Sequence, residues 1–313
     1  MVTVVGSYIL ALVMDVPRIP LEGETLVGSN YHTTHGGKGS NMAVCAARLG
    51  AATRFLGKVG RDSFGDDFRA LLQSEGIMTD TLLVAERTPT AVGFIIFSSR
   101  GSNVIVIDMA ANGEFTVADV LANEQAVRTA DVSLSPLEIP LATVLAAAKV
   151  ARAAGQRFIL NPAPAQDLRS VNLSDVFALT PNEREARACL GLQPDDPRSD
   201  EDIAAQLLAL GVPHVMITRG EKGVLWVSAE GSVVVPALPV TVVDTVGAGD
   251  AFNAGLATGL SEGLSTLEAI ALGVTAASLS TQHRETLASY SRRPEVNRHF
   301  RQTLDAARAL QTA

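Results

Sequence analysis

The sequence predicts an α/β fold: a mainly parallel β-sheet flanked by helices, with a small β-sheet lid. Three observations predict it. Short β-rich runs alternate with Ala/Leu-rich stretches along most of the 313 residues, and such alternation implies βαβ units with crossover helices. The composition, 47% hydrophobic but only 4% aromatic, suits buried parallel strands covered by small-residue helices. Two stretches, roughly 8–35 and 88–108, break the alternation: both are strand-rich and neither holds a crossover helix. They are read as the lid, inserted into one α/β domain that spans residues 1–313.

The elements follow in order. Met1 to Met14 is mostly apolar but has no basic start, is interrupted by Gly6-Ser7 and runs into Asp15 and Arg18. It therefore reads as a core strand (Val2–Val5), a turn and a second strand, not as a secretion leader. Residues 40–49 are helical, with Gly50 as the stop. Thr53–Val59 is a strand, and Asp66–Glu75 is a helix that Gly76 ends. Residues 90–97 and 103–107 are strands around the turn Ser98–Ser102. Ala142–Ala154 is a helix closed by Gly155, and Phe158–Leu160 and Val176–Leu179 are strands. Asp202–Leu210 is a helix before Gly211, Val215–Thr218 is a strand, and Gly247–Leu260 and Leu267–Thr281 are helices.

The formal net charge of −8 and the lack of a Lys/Arg cluster argue against a nucleic-acid partner. No apolar run reaches the roughly 18 residues a membrane span needs. The two cysteines, Cys45 and Cys189, have no metal-ligand spacing and read as small core residues in a reducing, cytoplasmic setting. His32 and His35 lack the partners that a metal site would require.

In an open α/β sheet, ligands bind beyond the carboxyl ends of the strands. Polar groups recur there: Asn161-Pro162, Thr180-Pro181-Asn182-Glu183 and Thr218-Arg219-Gly220. The most informative segment is Asp244-Thr245-Val246-Gly247-Ala248-Gly249-Asp250. Its glycines fall at a strand-to-helix turn, where backbone N–H groups converge on an anion. Asp250 then lies in the first helical turn, placed to take a proton from a substrate hydroxyl. The plain alternative is a glycine turn whose acid stabilises the helix dipole. A second segment, Gly36-Gly37-Lys38-Gly39-Ser40-Asn41, sets glycine amides, a cation and a side-chain amide at a helix start. It lacks the spacing of a Walker A loop, and taken alone it also reads as a solvated glycine loop. Glu183 and Glu185 open the helix after Pro181, where acids favour the positive end of the dipole without any metal.

Together these segments resemble the ribokinase family of carbohydrate and nucleoside kinases, also called the PfkB family. The resemblance runs from Val4 to about Ala277 through Gly36–Asn41, Glu138, Asn161–Ala165, Thr180–Glu185 and Asp244–Asn253, in that order. It implies an ATP-dependent kinase acting on the hydroxyl of a sugar or sugar-like molecule. Asp250 is then the base, and the amides of Gly247, Ala248 and Gly249 are the anion hole. Asn182, Thr218 and Gly220 match nucleotide contacts, and Glu185 matches a residue acting on Mg²⁺ through water. Gly37, Lys38, Asn41 and Glu138 match substrate positions. The lid is expected to cover the sugar and to form a homodimer contact.

Two departures stand out. The family's Gly-Ser-x-Asn-x-Asp stretch reads Gly6-Ser7-Tyr8-Ile9-Leu10-Ala11, so Ile9 and Ala11 replace sugar-binding Asn and Asp. The Gly-Ala-x-x-Ser region, part of the family's monovalent-cation site, reads Arg284-Glu285-Thr286-Leu287-Ala288-Ser289, which leaves potassium activation an open question. Rival readings are a nucleoside kinase, a kinase for sugar phosphates or acids using Arg18 or Arg100, and a non-catalytic binding protein on the same fold.

Overall fold

The computed structural model describes residues 1–311. Strand β1 (Val2–Val5) is buried along its whole length, as expected of a strand covered on both faces. The chain then leaves for the lid through β2 (Ile9–Val16) and β3 (Ser29–Gly36). It returns for β4 (Thr53–Gly60) and β5 (Leu82–Ala85), makes the lid strands β6 (Val92–Ser98) and β7 (Asn103–Asp108), and comes back at β8 (Val132–Pro136). The second half contributes β9 (Arg157–Asn161), β10 (Ala178–Leu179), β11 (His214–Thr218), β12 (Val224–Ser228) and β13 (Gly231–Val235).

These strands form a nine-stranded sheet, in the order β13-β12-β11-β10-β9-β8-β1-β4-β5, and a separate four-stranded sheet, β3-β2-β6-β7. The large sheet is parallel from β5 to β11 and antiparallel only at the β12–β13 edge. Helices cover both of its faces. One face packs on the helices Lys38–Arg48, Ala248–Ser261 and Thr266–Ser280, the other on Leu141–Ala153 and Asp200–Leu208. The predicted α/β class and β-sheet lid are thus both present.

Several boundaries move, each for a local reason. The first helix starts at Lys38 rather than residue 40, because Gly37 at φ +89° is its N-cap. The second starts at Ser63, not Asp66, since the Asp62 carboxylate caps it by accepting from Gly65 N at 2.9 Å. The strand expected at Val176–Leu179 shrinks to Ala178–Leu179. Lys38 consequently stands in the first turn of the helix, with Asn41 just beyond it as expected, and not in a loop ahead of it. Among the described residues, no helix is long and apolar enough to cross a membrane.

Candidate active site

The site forms where β1, β8, β9, β10 and β11 end and the helix Ala248–Ser261 begins. A cavity of about 340 Å³ there is lined by Lys38, Asn182, Glu185, Thr218, Gly247, Gly249 and Asp250, together with Asn161, Thr180 and Asn253. The glycine turn opens a helix as expected, but the strand expected before it is absent: residues 236–245 are irregular, and the turn joins a loop to the helix. Gly247 is the N-cap of this helix at φ +83°, in the left-handed region that glycine enters without strain. Asp250 follows in the first turn, only 4% exposed.

The buried carboxylate has two partners. Asn41 Nδ2 donates to Asp250 Oδ2 at 2.8 Å, and Lys38 Nζ lies 4.0 Å from Oδ1. Burial pushes the Asp250 carboxyl above its ordinary range, while Lys38 and the Asn41 bond pull it back. Asp250 in turn holds the Lys38 ammonium above its usual value. The arrangement is a carboxylate with poor solvation kept near one cation, which raises its basicity. The buried Asn41 Oδ1 has no protein partner. An orphaned buried acceptor is costly unless a ligand hydroxyl fills it.

Glu138 stands behind the cavity. Its Oε2 accepts from Lys38 N at 2.7 Å and also from the Ser7 hydroxyl, which leaves Oε1 for a ligand. Burial raises its pKa. Ser7 follows β1, and its Oγ also accepts from Gly39 N at 3.2 Å. Its part was missed from sequence, although the strand-end rule that selected Asn161 and Thr218 applies to it equally.

Asn182 and Glu185 cap each other. Asn182 Oδ1 accepts from Arg184 N at 3.0 Å and Glu185 N at 2.8 Å, and Glu185 Oε2 accepts from Asn182 N at 2.9 Å. This is a capping box, and it leaves Asn182 Nδ2 and Glu185 Oε1 unengaged beside the cavity. Thr218 bridges to Asn182 across the strand ends. Gly220 is exposed in the 3₁₀ turn Gly220–Lys222 at φ +54° and does not line this cavity. Asn253 locks the turn from within: its Oδ1 accepts from the Thr180 hydroxyl at 2.7 Å and its Nδ2 donates to Gly249 O at 2.9 Å. Arg18 is engaged by Glu24 Oε2 at 2.6 Å in the β2–β3 connection, so its charge is answered within the lid.

A buried carboxylate beside a glycine turn and a cation suits phosphoryl transfer. The family model described as "pfkB family carbohydrate kinase" matches residues 1–293. The chain belongs to that family. Similar curated proteins include the ribokinase of Haemophilus influenzae, 38% identical over 295 residues that span 94% of this chain and 96% of that protein. The deoxyribokinase of Salmonella typhi is 35% identical over 256 residues, 80% of this chain and 82% of that one. Among solved structures, the Arabidopsis thaliana ribokinase complexed with ribose and ATP superposes with a TM-score of 0.88 at 29% identity, covering 96% of this chain and 98% of the other. The fold of this PfkB-family member is thus that of ribokinase, and its reaction class that of a carbohydrate kinase.

Proposed function

We propose that this chain is an ATP-dependent sugar kinase in which Asp250 takes the proton of the attacking hydroxyl while the Gly247–Gly249 amides hold the transferred γ-phosphoryl group. The observation that carries this reading is the buried Asp250, one residue beyond the glycine turn and held between Asn41 and Lys38. Asn41 Oδ1 and Glu138 Oε1 are free to accept from sugar hydroxyls. Asn182 and Thr218 face the nucleotide, and Gly220 would reach it only from the neighbouring turn.

The donor set fits Mg²⁺ bound mainly by phosphates and water. Among the described residues, no three His, Cys, Asp or Glu side chains gather at ligand distance. The one Glu185 oxygen left free beside the cavity suits a metal-bound water. When bound, the ion would supply positive charge to offset that of the phosphates.

The sugar is read as one with fewer hydroxyls than D-ribose on its lid-facing side. Ile9 and Ala11 are both buried in β2. Ile9 Cγ2 lies 3.5 Å, and Ile107 Cγ1 3.7 Å, from where a side chain on Gly93 would begin, so this part of the lid presents carbon. Asp15 does not compensate. It sits four residues further along the strand, about 13 Å, and accepts from Asn30 Nδ2 at 2.8 Å. A lost charged hydrogen bond of about 1.5–3 kcal/mol favours a deoxy or otherwise modified sugar.

A second copy is read as covering the lid. Every residue of β7 is exposed, including Ile105, Val106 and Ile107, and an apolar edge strand of this kind invites a partner. With its two buried free cysteines, the protein is read as a cytoplasmic homodimer.

ATP turnover with D-ribose, 2-deoxy-D-ribose, ketoses and nucleosides tests the reading. A deoxy or modified sugar should give the highest kcat/KM. No turnover with any sugar would remove the kinase assignment for these substrates. A kcat/KM for D-ribose above all others, and well above about 10⁴ M⁻¹s⁻¹, would overturn the pocket reading alone.

A further inference from the structure

The chemistry above uses the Gly247–Gly249 amides but does not explain what orients them. A turn of glycines is flexible in itself, and a donor is useful to a transition state only if its direction is set beforehand. Gly249 is held by Asn253, within the same helix. Gly247 O accepts from Ala251 N at 2.9 Å within the helix, and it is also held from elsewhere. The Tyr290 hydroxyl donates to Gly247 O at 3.2 Å, across a sequence separation that no motif spans.

This carbonyl belongs to the same peptide plane as Ala248 N–H. The plane is rigid and its C=O and N–H point in opposite directions. A hydroxyl that fixes the carbonyl therefore fixes the Ala248 N–H as well. Donation to the carbonyl also polarises the amide, which makes its N–H the better donor. In this structure Ala248 N reaches only Thr245 O, at 3.3 Å, a weak bond that an incoming anion would readily replace.

Tyr290 is itself tightly placed. It is 4% exposed, and burial first, then the Asp250 charge, raises its pKa far above the ordinary phenol value, so it remains a donor. The neighbouring Thr286 closes on the same glycine: a side chain on Gly247 would begin 2.4 Å from Thr286 Cγ2 and 2.9 Å from the Tyr290 hydroxyl. Arg48, from the end of the helix that carries Lys38 and Asn41, donates to Leu287 O and reaches Tyr290 O at 3.5 Å. Its other face is paired with Glu75 at 2.5 Å.

We propose that Tyr290 is a positioning residue for phosphoryl transfer, its hydroxyl orienting the Gly247–Ala248 peptide so that Ala248 N–H faces the transferred phosphoryl group. The inference rests on the anion-hole reading given above. Tyr290→Phe removes one oxygen and keeps the ring. Gly247 O then still accepts from Ala251 N at 2.9 Å, so no buried acceptor is orphaned and the fold should be kept.

The variant should lose about tenfold in kcat, less than the 10²–10³ that follows deletion of a donor. KM for ATP and sugar and the melting temperature should stay nearly unchanged. A binding measurement separates this inference from the reading beneath it. In the presence of sugar and Mg²⁺, aluminium fluoride should tighten ADP binding to the unaltered protein, and should do so about tenfold less in Tyr290→Phe. No tightening in the unaltered protein would remove the anion hole and this inference with it. Equal tightening in both proteins, or a kcat within about twofold of the original, would leave the hole standing and remove Tyr290 from it. A kcat loss matched by a loss of thermal stability would assign Tyr290 to packing instead.

Discussion

Replacing Lys38 by Met should move the acid limb of the kcat/KM profile to higher pH. The side chain of Lys38 ends 4.0 Å from Asp250 Oδ1. Two unit charges at about 4 Å interact by about 4 kcal/mol at an effective dielectric near 20. At about 1.4 kcal/mol per pH unit, that sets a ceiling of about three units. Lys38 is 35% exposed, so water screens part of the field, and a shift of about 1–2 units is expected. The sign follows from the acid: losing the cation makes the Asp250 carboxylate harder to form. It then stays protonated over more of the acidic range and cannot accept the hydroxyl proton there. The backbone bond from Lys38 N to Glu138 Oε2 does not depend on the side chain, so the helix start should persist. The assay is kcat/KM for the sugar from pH 5 to 9 at saturating ATP, which reports the groups of the ATP-bound enzyme before sugar binds. The height of the profile will fall for several reasons; its midpoint is the diagnostic. A midpoint within about 0.3 units of the original, in a folded variant, would refute the coupling and with it Asp250 as the titrating base.

Other expectations concern the same chemistry and its setting. Asp250→Asn should lower kcat by about 10²–10⁴ while the ATP dissociation constant measured by calorimetry changes little; a variant keeping most of its kcat would exclude Asp250 as the base. Excess EDTA should abolish turnover, and added Mg²⁺ should restore it, since the phosphates need a bridging cation; undiminished activity in EDTA would contradict the metal assignment. Sedimentation at micromolar concentration should show a dimer that a charge introduced at Ile105 in the lid strand disrupts, and a monomer of the unaltered chain would end the dimer reading.

The parts of this architecture written in local pattern were legible in the sequence. Gly247 and Gly37 act through backbone conformations that glycine favours, and Asp250, Asn41 and Lys38 lie at fixed offsets from them. The parts made by tertiary meeting were not. Tyr290 and Gly247 share no spacing rule, and the intervening Glu285–Ser289 segment departs from the family pattern. The helix Arg293–Gln311 buries Val296, Thr303, Leu304 and Ala307 with Phe300 packed beside them, a helical spacing that was a usable signal and was passed over. The β12–β13 hairpin breaks the strand–helix rhythm, although Glu230-Gly231 between two valine-rich runs was a usable turn signal. The strand at Val176 failed differently. Val176 N turns back to Leu173 O at 2.9 Å, so an apolar run was spent on a turn.

The two sheets share no paired strands, and this separation bears on how such an enzyme changes over evolutionary time. Ile9 and Ala11, read above as facing the sugar, stand on the small sheet, while the carboxylate and the glycine turn open the helix Ala248–Ser261 that packs on the large one. On the proposed reading, a substitution at Ile9 or Ala11 would alter recognition without touching the helix capped by Gly247, so drift in preference need not pass through a dead catalyst. New specificities can then arise by single steps, each tested by selection on an apparatus that still transfers phosphate.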